Sequence, residues 1–317
     1  MISLNSQAAV LCEKLLAHPE RYRVAPRIVS GGYQVIDCGI STPGGLEAGR
    51  MLAAICLAGL GDVTFLPAKP EIWLGPAVQV TTDHPTLACM ASQYAGWEVK
   101  QDKFFAMGSG PMRAAAAKEP LFAKLGYAPE QTKVAVGVLE TGRMPSTQVC
   151  GDLARQCGVE PAGLILLVAP TASQAGTVQV VARSVETALH KLHELGFDLS
   201  TIESAYGTAP LPPVAGDDLT ALGRTNDAIL YGAEVTLWVR TTDARLQQLG
   251  PQVPSSASRD YGRPFLQIFE QYHRDFYQID PRLFSPAVIT FHNLETGHSF
   301  RYGHLLPRVI HESFGIS

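Results

Sequence analysis

The chain of 317 residues carries 25 lysines and arginines against 29 aspartates and glutamates, which gives a formal net charge of −4. Hydrophobic residues make up 46% of the chain and charged residues 17%, a globular composition that excludes a disordered protein. Because the chain has no basic block and no apolar run of membrane-spanning length, we expect neither a nucleic acid nor a membrane as a partner.

Six cysteines are scattered along the chain, and none of them forms a Cys-x-x-Cys pair. Several lie in apolar runs, as Cys56 does, which is typical of buried free thiols in a reducing compartment. Residues 1–6 lack the basic and apolar segments of a signal peptide. We therefore expect a cytoplasmic protein.

The first half of the chain alternates helix and strand signals. Apolar residues at helical spacing predict a first helix that Asn5 or Ser6 caps and Pro19 follows. A Ser-Gly-Gly turn at residues 30–32 predicts a hairpin. The other elements predicted here are a strand at 33–38, a helix at about 42–58, strands near 63–66 and 72–80, and helices at 86–95 and 108–117.

The second half begins with two buried strands. Short apolar runs rich in β-branched residues predict them at residues 134–139 and 164–168, with an amphipathic helix at 146–157 between them. A long helix is predicted over residues 176–195, and Gly196 ends it. The remaining predictions are a strand at 228–240 with a bulge or bend at Gly232, a helix at 263–272, and a hairpin at 287–302.

This alternation of strands and helices predicts an α/β fold, with a mixed α+β fold as the alternative. Elements of both kinds occur in both halves of the chain. We therefore expect two α/β domains with mixed sheets, at approximately residues 1–125 and 126–317, and a substrate cleft between them. Segments that cross from one domain to the other stay an alternative to this simple division.

Residues 76–85 form the most informative stretch of the sequence. An apolar, β-prone run ends there in Thr81, Thr82, Asp83 and His84. Side chains at the carboxyl end of a strand face the crevice where α/β proteins bind ligands. The pattern indicates one wall of a site, with Asp83 and His84 as a candidate acid–base pair. The alternative is a helix cap made by Asp83 with the help of Thr82, and a solvated His84.

Two further turns rich in glycine, proline and small polar residues follow strands. Ser109 and Gly110 offer backbone amides at a helix start, where an anion or a polar ring edge could bind. Arg113 would lie near such a ligand. A tight turn and a surface arginine are the alternatives. Thr171 and Ser173 follow the most apolar strand with hydrogen-bonding groups, and an ordinary capping turn is the alternative there.

The helix predicted at 176–195 carries Arg183 and Glu186 three residues apart, on one face and among apolar residues. A buried pair of this kind is a candidate for proton transfer, whereas an ordinary salt bridge is the alternative. His190 and His193 on the same helix do not form a metal-binding motif and are interpreted as surface or supporting residues. Asp260 belongs to a dense polar loop, interpreted as a binding loop or a latch between domains.

Ten short motifs occur in a fixed order between residues 35 and 262. They are VIDCG (35–39), PGGLEAG (43–49), PAVQVTTDHP (76–85), FAMGSGP (105–111), LVAPTAS (167–173), VET (185–187), GTAP (207–210), GDDL (216–219), TNDAI (225–229) and SRDYG (258–262). Each motif is weak alone. Their order and number, over about residues 37–280, closely resemble the methenyltetrahydromethanopterin cyclohydrolase family.

The resemblance implies a cytoplasmic enzyme of one-carbon metabolism, acting in methanogenesis or in formaldehyde oxidation. It would reversibly hydrolyse 5,10-methenyltetrahydromethanopterin, or its dephospho form, to the 5-formyl compound. The family is thought to use no metal and no other cofactor. The resemblance also implies two α/β domains with the substrate between them and a homo-oligomer, commonly a trimer.

The glutamate and arginine of the family's helix motif, considered catalytic there, match Glu186 and Arg183. The methenyl bridge is an electrophilic amidinium, so the reaction needs a base for water and an acid for the departing nitrogen. Our hypothesis is that Glu186 does both and that Arg183 orients it and favours its charged form. The expected substrate-binding residues are Gln79, Thr81, Asp83, His84, Ser109, Gly110, Arg113, Thr171, Ser173 and Asp260, with Asp83 in reserve for proton transfer.

Two other functions stay open from the sequence. One is a pterin-binding protein without catalytic activity. The other is a metal-dependent amidohydrolase that would use Asp83, His84, His190 and His193 as ligands.

Overall fold

A computed structural model describes residues 2–316 of the chain. Its strands are β1 (Ala25–Val29), β2 (Tyr33–Asp37), β3 (Asp62–Pro67), β4 (Pro76–Thr82), β5 (Trp97–Gln101), β6 (Phe104–Ser109), β7 (Ala135–Glu140), β8 (Leu164–Ala169), β9 (Ile202–Pro210), β10 (Glu234–Val239), β11 (Val288–Asn293) and β12 (Ser299–Gly303). Its α-helices are α1 (Leu4–Ala17), α2 (Pro19–Tyr22), α3 (Leu46–Cys56), α4 (Met112–Ala116), α5 (Pro120–Lys124), α6 (Thr147–Cys157), α7 (Gln174–Val181), α8 (Ser184–Glu194), α9 (Asp218–Gly232), α10 (Asp243–Leu249), α11 (Phe265–Gln271) and α12 (Pro307–Phe314).

The chain forms two compact units. Unit 1 contains the residues up to Gly61 together with Leu87–Gln179, and unit 2 contains Asp62–Thr86 together with the residues from Val180 onwards. Each unit has one six-stranded mixed sheet with helices packed on it, which confirms the predicted α/β class. Segments of the chain alternate between the units, while a single border near residue 125 stays a sequence-based prediction.

The sheet of unit 1 has the strand order β1-β2-β8-β7-β6-β5. Its middle strands β2, β8 and β7 are parallel, and the outer pairs are antiparallel. Ile36, Val138 and Leu167 face a cluster that includes residues of α1 and α3, whereas Leu139 and Leu166 face a second cluster with residues of α6. Because both faces are covered, β7 and β8 are continuous apolar runs.

The sheet of unit 2 has the strand order β12-β11-β10-β9-β4-β3, with β10 and β11 parallel and the other neighbours antiparallel. Its strands alternate between buried and partly exposed residues. Val80 and Leu237 are fully buried, whereas Gln79 and Thr236 stay partly exposed. One face is therefore covered by helices, and we call the other the open face.

Two predictions of long elements are wrong. The helix predicted at residues 176–195 breaks in two, because the amide of Arg183 bonds to the Val180 carbonyl at 3.1 Å and α8 begins only at Ser184. The strand predicted at residues 228–240 is the end of α9 followed by β10. Asp217 caps α9 through a 2.9 Å bond from the Thr220 amide, and the apolar run at 228–231 is a buried helix end rather than a strand.

Smaller differences occur near the other helix ends. Ser3 caps α1 by accepting a bond from the Ser6 amide, whereas Asn5 is buried inside the first turn and donates to the Pro111 carbonyl. Residues 86–93 form a π-helix instead of an α-helix. The hairpins predicted at residues 30–32 and 287–302 are confirmed by the antiparallel pairs β1–β2 and β11–β12.

Candidate active site

Helix α8 begins directly against strand β9. A Cβ added to Gly207 of β9 would lie 2.6 Å from Ser184 Oγ and 2.7 Å from Val185 Cγ2. A Cβ at these distances would clash with both atoms unless the helix moved away. A glycine is therefore needed for the helix to lie this near the strand. Ser184 and Val185 are fully buried at this point. The close approach anchors the start of α8 on the covered face of the sheet.

Arg183 and Glu186 flank this anchor. Arg183 occupies the N-cap position of α8, and Glu186 lies in the first turn. Both are almost entirely buried, with 7% and 6% of their surface exposed. Free amides at the start of a helix favour a negative charge nearby. The local structure therefore presents a buried carboxylate and a guanidinium within one turn, an arrangement that can accept and return a proton.

Three of the predicted binding residues lie along the open face of unit 2. Gln79 and Thr81 are alternate, partly exposed residues of β4. The Tyr206 hydroxyl of β9 lies 3.4 Å from Gln79 Oε1, and Ser204 of β9 donates to Asp83 at 2.7 Å. Strand β9 thus brings partners to the residues of β4, and the predicted polar wall is a continuous surface of one sheet.

A pocket of about 260 Å³ opens on the same face. Its polar lining includes Tyr206, Thr208 and Thr236, and Glu234 at its edge forms an ion pair with Lys69. Since Tyr206 also contacts Gln79, this pocket continues the surface formed by β4 and β9. The open face therefore combines hydroxyl, amide and charged groups around a concave centre.

The side chains after β4 do not form the helix cap that the sequence offered as an alternative. The carboxylate of Asp83 is exposed and bonds to Ser204. Thr82 is buried, and its hydroxyl accepts a 3.0 Å bond from the amide of His84. His84 itself is exposed. The turn is thus held by Thr82, and Asp83 and His84 present their polar groups to solvent.

Asp260 holds a loop of unit 2 together. It is 5% exposed and accepts 2.9 Å bonds from the Tyr272 hydroxyl and the Asp280 amide. Asp280 in turn accepts a bond from Ser258. All of these contacts lie within unit 2, so in this structure the polar loop is a latch between segments of one unit.

In unit 1, Thr171 and Ser173 follow β8 in a single turn. Ser173 caps α7, because its hydroxyl accepts a 3.0 Å bond from the Gly176 amide and donates to Pro170. Thr171 has a different partner, since its hydroxyl donates to the carboxylate of Glu140 at the end of β7. The turn is thus both a cap and a link between two parallel strand ends.

Asp37 ends β2 at the same edge of the sheet as this link. Its two carboxylate oxygens accept bonds from the amides of Gly39, Ile40 and Ser41 and from the Ser41 hydroxyl. Burial would raise the pKa of Asp37, but these hydrogen bonds outweigh burial and lower it. These hydrogen bonds favour the charged form of Asp37 and hold the following loop.

The remaining predicted residues of unit 1 lie in its interior. Ser109 is 1% exposed, with its hydroxyl 3.1 Å from Cys56 Sγ, and Gly110 turns the chain with φ at +90°. Arg113 is fully buried, so the alternative of a surface arginine is wrong. Its guanidinium donates to Glu119 at 2.8 Å and to the Met90 carbonyl at 3.0 Å. The hydrogen bonds of Arg113 are therefore with other residues of unit 1, and they stabilise its interior.

The later part of α8 is also occupied by structural contacts. Lys191 is buried and donates to the Arg282 carbonyl at 2.9 Å, and burial lowers its pKa to about 8. Burial likewise lowers the pKa of His190.

Within residues 2–316, no group of three or more His, Cys, Asp or Glu side chains is arranged to hold a metal ion. Helices of the described chain are all too short or too polar to cross a membrane.

Two residues with contacts described above were not singled out from the sequence. Glu140 comes directly after a buried strand, which is the same signal that singled out Asp83, and only the length of the polar run differs. Gly207 stands between polar residues in a strand, where a glycine indicates close approach of another backbone or side chain.

Comparisons with known proteins agree with these motifs. A family model described as cyclohydrolase (MCH) matches residues 3–314. A methenyltetrahydromethanopterin cyclohydrolase of Rhodopirellula baltica is 49% identical over 99% of this chain and 95% of its own. Proteins with the same name from Methylobacillus flagellatus and Methanococcoides burtonii are 44% and 40% identical, over 99% and 100% of this chain and 96% and 99% of theirs.

Proposed function

Because the chain belongs to the methenyltetrahydromethanopterin cyclohydrolase family, we propose that Glu186 and Arg183 carry out the reaction after which the family is named. The chain is a cyclohydrolase, a hydrolase that acts on a carbon–nitrogen bond of a cyclic amidine. Its substrate is 5,10-methenyltetrahydromethanopterin, whose dephospho form is the alternative. The observation that supports the two residues is the buried carboxylate in the first turn of α8, anchored at Gly207.

The reaction moves two protons of one water molecule. Glu186 takes the first as the water oxygen bonds to the methenyl carbon. The bond from that carbon to one nitrogen then breaks, and Glu186 returns the proton to this departing nitrogen. The second water proton leaves the new hydroxyl as the carbonyl of the 5-formyl group forms. One proton is released for each substrate cation consumed, so charge and atoms balance.

In this scheme Arg183 positions the carboxylate of Glu186. A guanidinium within one helical turn of the carboxylate orients it and favours its charged form before the water attacks. The substrate amidinium is already positively charged, so no Lewis acid is needed to polarise it. For this reason we assign the reaction no metal and no other cofactor.

In this proposal the pterin carrier contacts the polar residues of β4 and of the turn that follows it. Gln79, Thr81, Asp83 and His84 offer amide, hydroxyl, carboxylate and imidazole groups on or beside the open face. Thr171, Ser173, Ser109, Gly110, Arg113 and Asp260 stay predictions from the sequence, since the contacts that the structure gives them are with the protein itself. We further propose a cytoplasmic homo-oligomer, a trimer by analogy with the family.

The substitution Glu186→Gln tests the assignment of the base. The amide keeps the size of the side chain but cannot accept a proton, so turnover should fall by about 10²- to 10⁴-fold. Loss of the methenyl chromophore measures turnover, and equilibrium binding of the substrate should stay close to that of the wild type. Glu194→Gln is the matched control, because Glu194 lies on the same helix and is exposed. A Glu186→Gln protein with nearly wild-type turnover would show that another group is the base.

A further inference from the structure

Glu140 lies at the carboxyl end of the parallel strands of unit 1. It is the last residue of β7, which runs parallel to β8, and β8 runs parallel to β2. Its backbone is held on both sides, because Glu140 pairs with Met107 of β6 and with Ala169 of β8. Ligands of open α/β sheets bind outside the carboxyl ends of such parallel strands.

The two carboxylates at this edge of the sheet, those of Asp37 and Glu140, differ in how many further hydrogen bonds their oxygen atoms can accept. The oxygens of Asp37 are filled by bonds from its own loop. In the described chain, Glu140 accepts one bond, from Thr171 to Oε1, and forms no ion pair with a lysine, arginine or histidine. Its side chain is partly exposed. Glu140 thus keeps its second carboxylate oxygen and one further lone pair on Oε1, so both oxygens can accept bonds from a ligand that brings N–H donors or positive charge.

We propose that Glu140 binds the 2-amino group and the N3–H of the substrate's pterin ring. This inference rests on the proposed function, which supplies the pterin. The pyrimidine half of a pterin carries these two donors side by side on one edge. A carboxylate accepts two parallel N–H bonds, as it does from an arginine side chain, and charge assistance strengthens both.

Thr171 sets the orientation of this carboxylate. It is 5% exposed, and its own carbonyl accepts a 2.9 Å bond from the Thr177 hydroxyl in α7. A hydroxyl fixed in this way holds Glu140 in one rotamer before the ligand arrives. Less side-chain entropy is then lost on binding. Thr171 acts on the ligand through Glu140 and is a positioning residue.

Two pteridines that differ in the group at position 2 test the contact. In 2-amino-4-oxopteridine position 2 is a donor, whereas in 2,4-dioxopteridine it is an acceptor that a carboxylate repels. The wild type should bind the amino compound at least about tenfold more tightly, since a charged hydrogen bond is replaced by a repulsion. In Glu140→Gln the amide can donate to the 2-oxo group, so this preference should disappear or reverse. Equal affinities of the wild type for the two compounds would overturn the proposal, as would an unchanged preference of the variant.

Kinetics add a second measurement. Glu140→Gln should raise KM for the methenyl substrate about tenfold or more and change kcat little, because the contact is remote from the methenyl carbon. Glu98→Gln is the matched control, an exposed glutamate of β5 in the same sheet, and it should change neither. If Glu140→Gln does not fold, Glu140→Asp, which withdraws the charge by one methylene group, should lose affinity for the amino compound. Retained affinity would contradict the assignment.

Binding of the two pteridines needs no turnover, which separates this proposal from the assignment of Glu186. A protein that prefers the amino compound but does not hydrolyse the substrate supports Glu140 and contradicts the proposed function. A protein that hydrolyses the substrate but shows no preference contradicts Glu140 alone.

Discussion

The sheet of unit 1 is covered on both faces of its central strands, whereas the sheet of unit 2 is covered on one face only. The strands β7 and β8 accordingly contain almost nothing but apolar residues, and polar groups appear only where these strands end, at Glu140 and Thr171. Strands β4 and β9 instead carry polar residues within the strands, among them Gln79, Thr81 and Tyr206. Unit 1 therefore presents its polar groups at a strand edge, whereas unit 2 presents them across a sheet face.

The same contrast separates two kinds of predicted binding residue. Ser109 and Arg113 are polar residues of unit 1 that are sealed in its interior, where polar atoms need protein partners. Gln79 and Thr81 stay partly exposed on the open face of unit 2. Substitutions in the first group should act mainly on the free energy of unfolding, and those in the second mainly on substrate binding.

The largest effect on stability is expected for Arg113→Leu. Arg113 is fully buried, forms bonds with Glu119 and two backbone carbonyls, and lies 5.0 Å from the ring centre of Tyr94. Removing one partner leaves a carboxylate and carbonyls unpaired, so the free energy of unfolding should fall by about 3–5 kcal/mol. Urea unfolding followed by circular dichroism measures this loss.

Arg155→Leu is the control for this comparison. Arg155 forms a salt bridge with Asp152 on the surface of α6, with 76% of its side chain exposed. Such a pair contributes about 0–1 kcal/mol, so this variant should unfold almost as the wild type does. If Arg113→Leu kept its stability but bound substrate weakly, Arg113 would be a binding residue and the contrast between the two units would fail.

A smaller effect, dependent on pH, is expected from the covered side of unit 2. Asp227 in α9 is 1% exposed and accepts a 2.7 Å bond from the Phe265 amide. Burial raises the pKa of Asp227 to about 8, and the hydrogen bonds of the Ser313 side chain and the Phe265 amide oppose this rise only in part. The folded protein thus holds Asp227 protonated near neutral pH, whereas the unfolded chain releases the proton at its usual value of 3.8.

This difference in pKa gives the sign of the pH dependence. Between about pH 4 and pH 8 the folded state binds one more proton at Asp227 than the unfolded state. The free energy of unfolding should therefore fall as the pH rises, by at most about 1.4 kcal/mol per pH unit from this group. Its contribution is fully present below pH 4 and is lost once the pH has passed 8.

Asp227→Asn should remove this dependence, since an amide does not titrate. The difference in unfolding free energy between the variant and the wild type should shift in favour of the variant from pH 5 to pH 8.5, in urea melts at constant ionic strength. The wild type, measured in the same melts at each pH, is the reference for this comparison. A constant difference for Asp227→Asn across this range would show that Asp227 is charged in the folded protein.

Local sequence patterns predicted the structural features that depend only on neighbouring residues along the chain. The buried strands at 134–139 and 164–168 were predictable because both faces of each strand are apolar. The break between α7 and α8 was not, because no glycine or proline marks it in the sequence. The full burial of Arg113 depends on partners from several segments, among them Glu119 and the Met90 carbonyl.

The residues of the candidate site were likewise predictable only where the signal lies within one element. Burial of Arg183 and Glu186 followed from their apolar neighbours, and the family motifs supplied their role. Glu140 was missed because a single acidic residue after a strand is a weak signal until Thr171 is seen to contact it. Spacing identifies groups on one element, whereas a contact between two strand ends appears only in the folded chain.

The smallest effect is expected on the open face, from Thr81→Val. The substitution keeps the shape of the side chain and removes one hydroxyl, so the free energy of unfolding should hardly change at this partly exposed position. Loss of one neutral hydrogen bond to the substrate should raise KM by about 2- to 10-fold with little change in kcat. Thr64→Val is the matched control, because Thr64 lies on the neighbouring edge strand β3, directly opposite Gln79, and is exposed. If both variants raised KM equally, the substrate would extend to the edge of the sheet; if neither did, the open face would not take part in binding, and the strand ends of unit 1 would carry the recognition of the pterin.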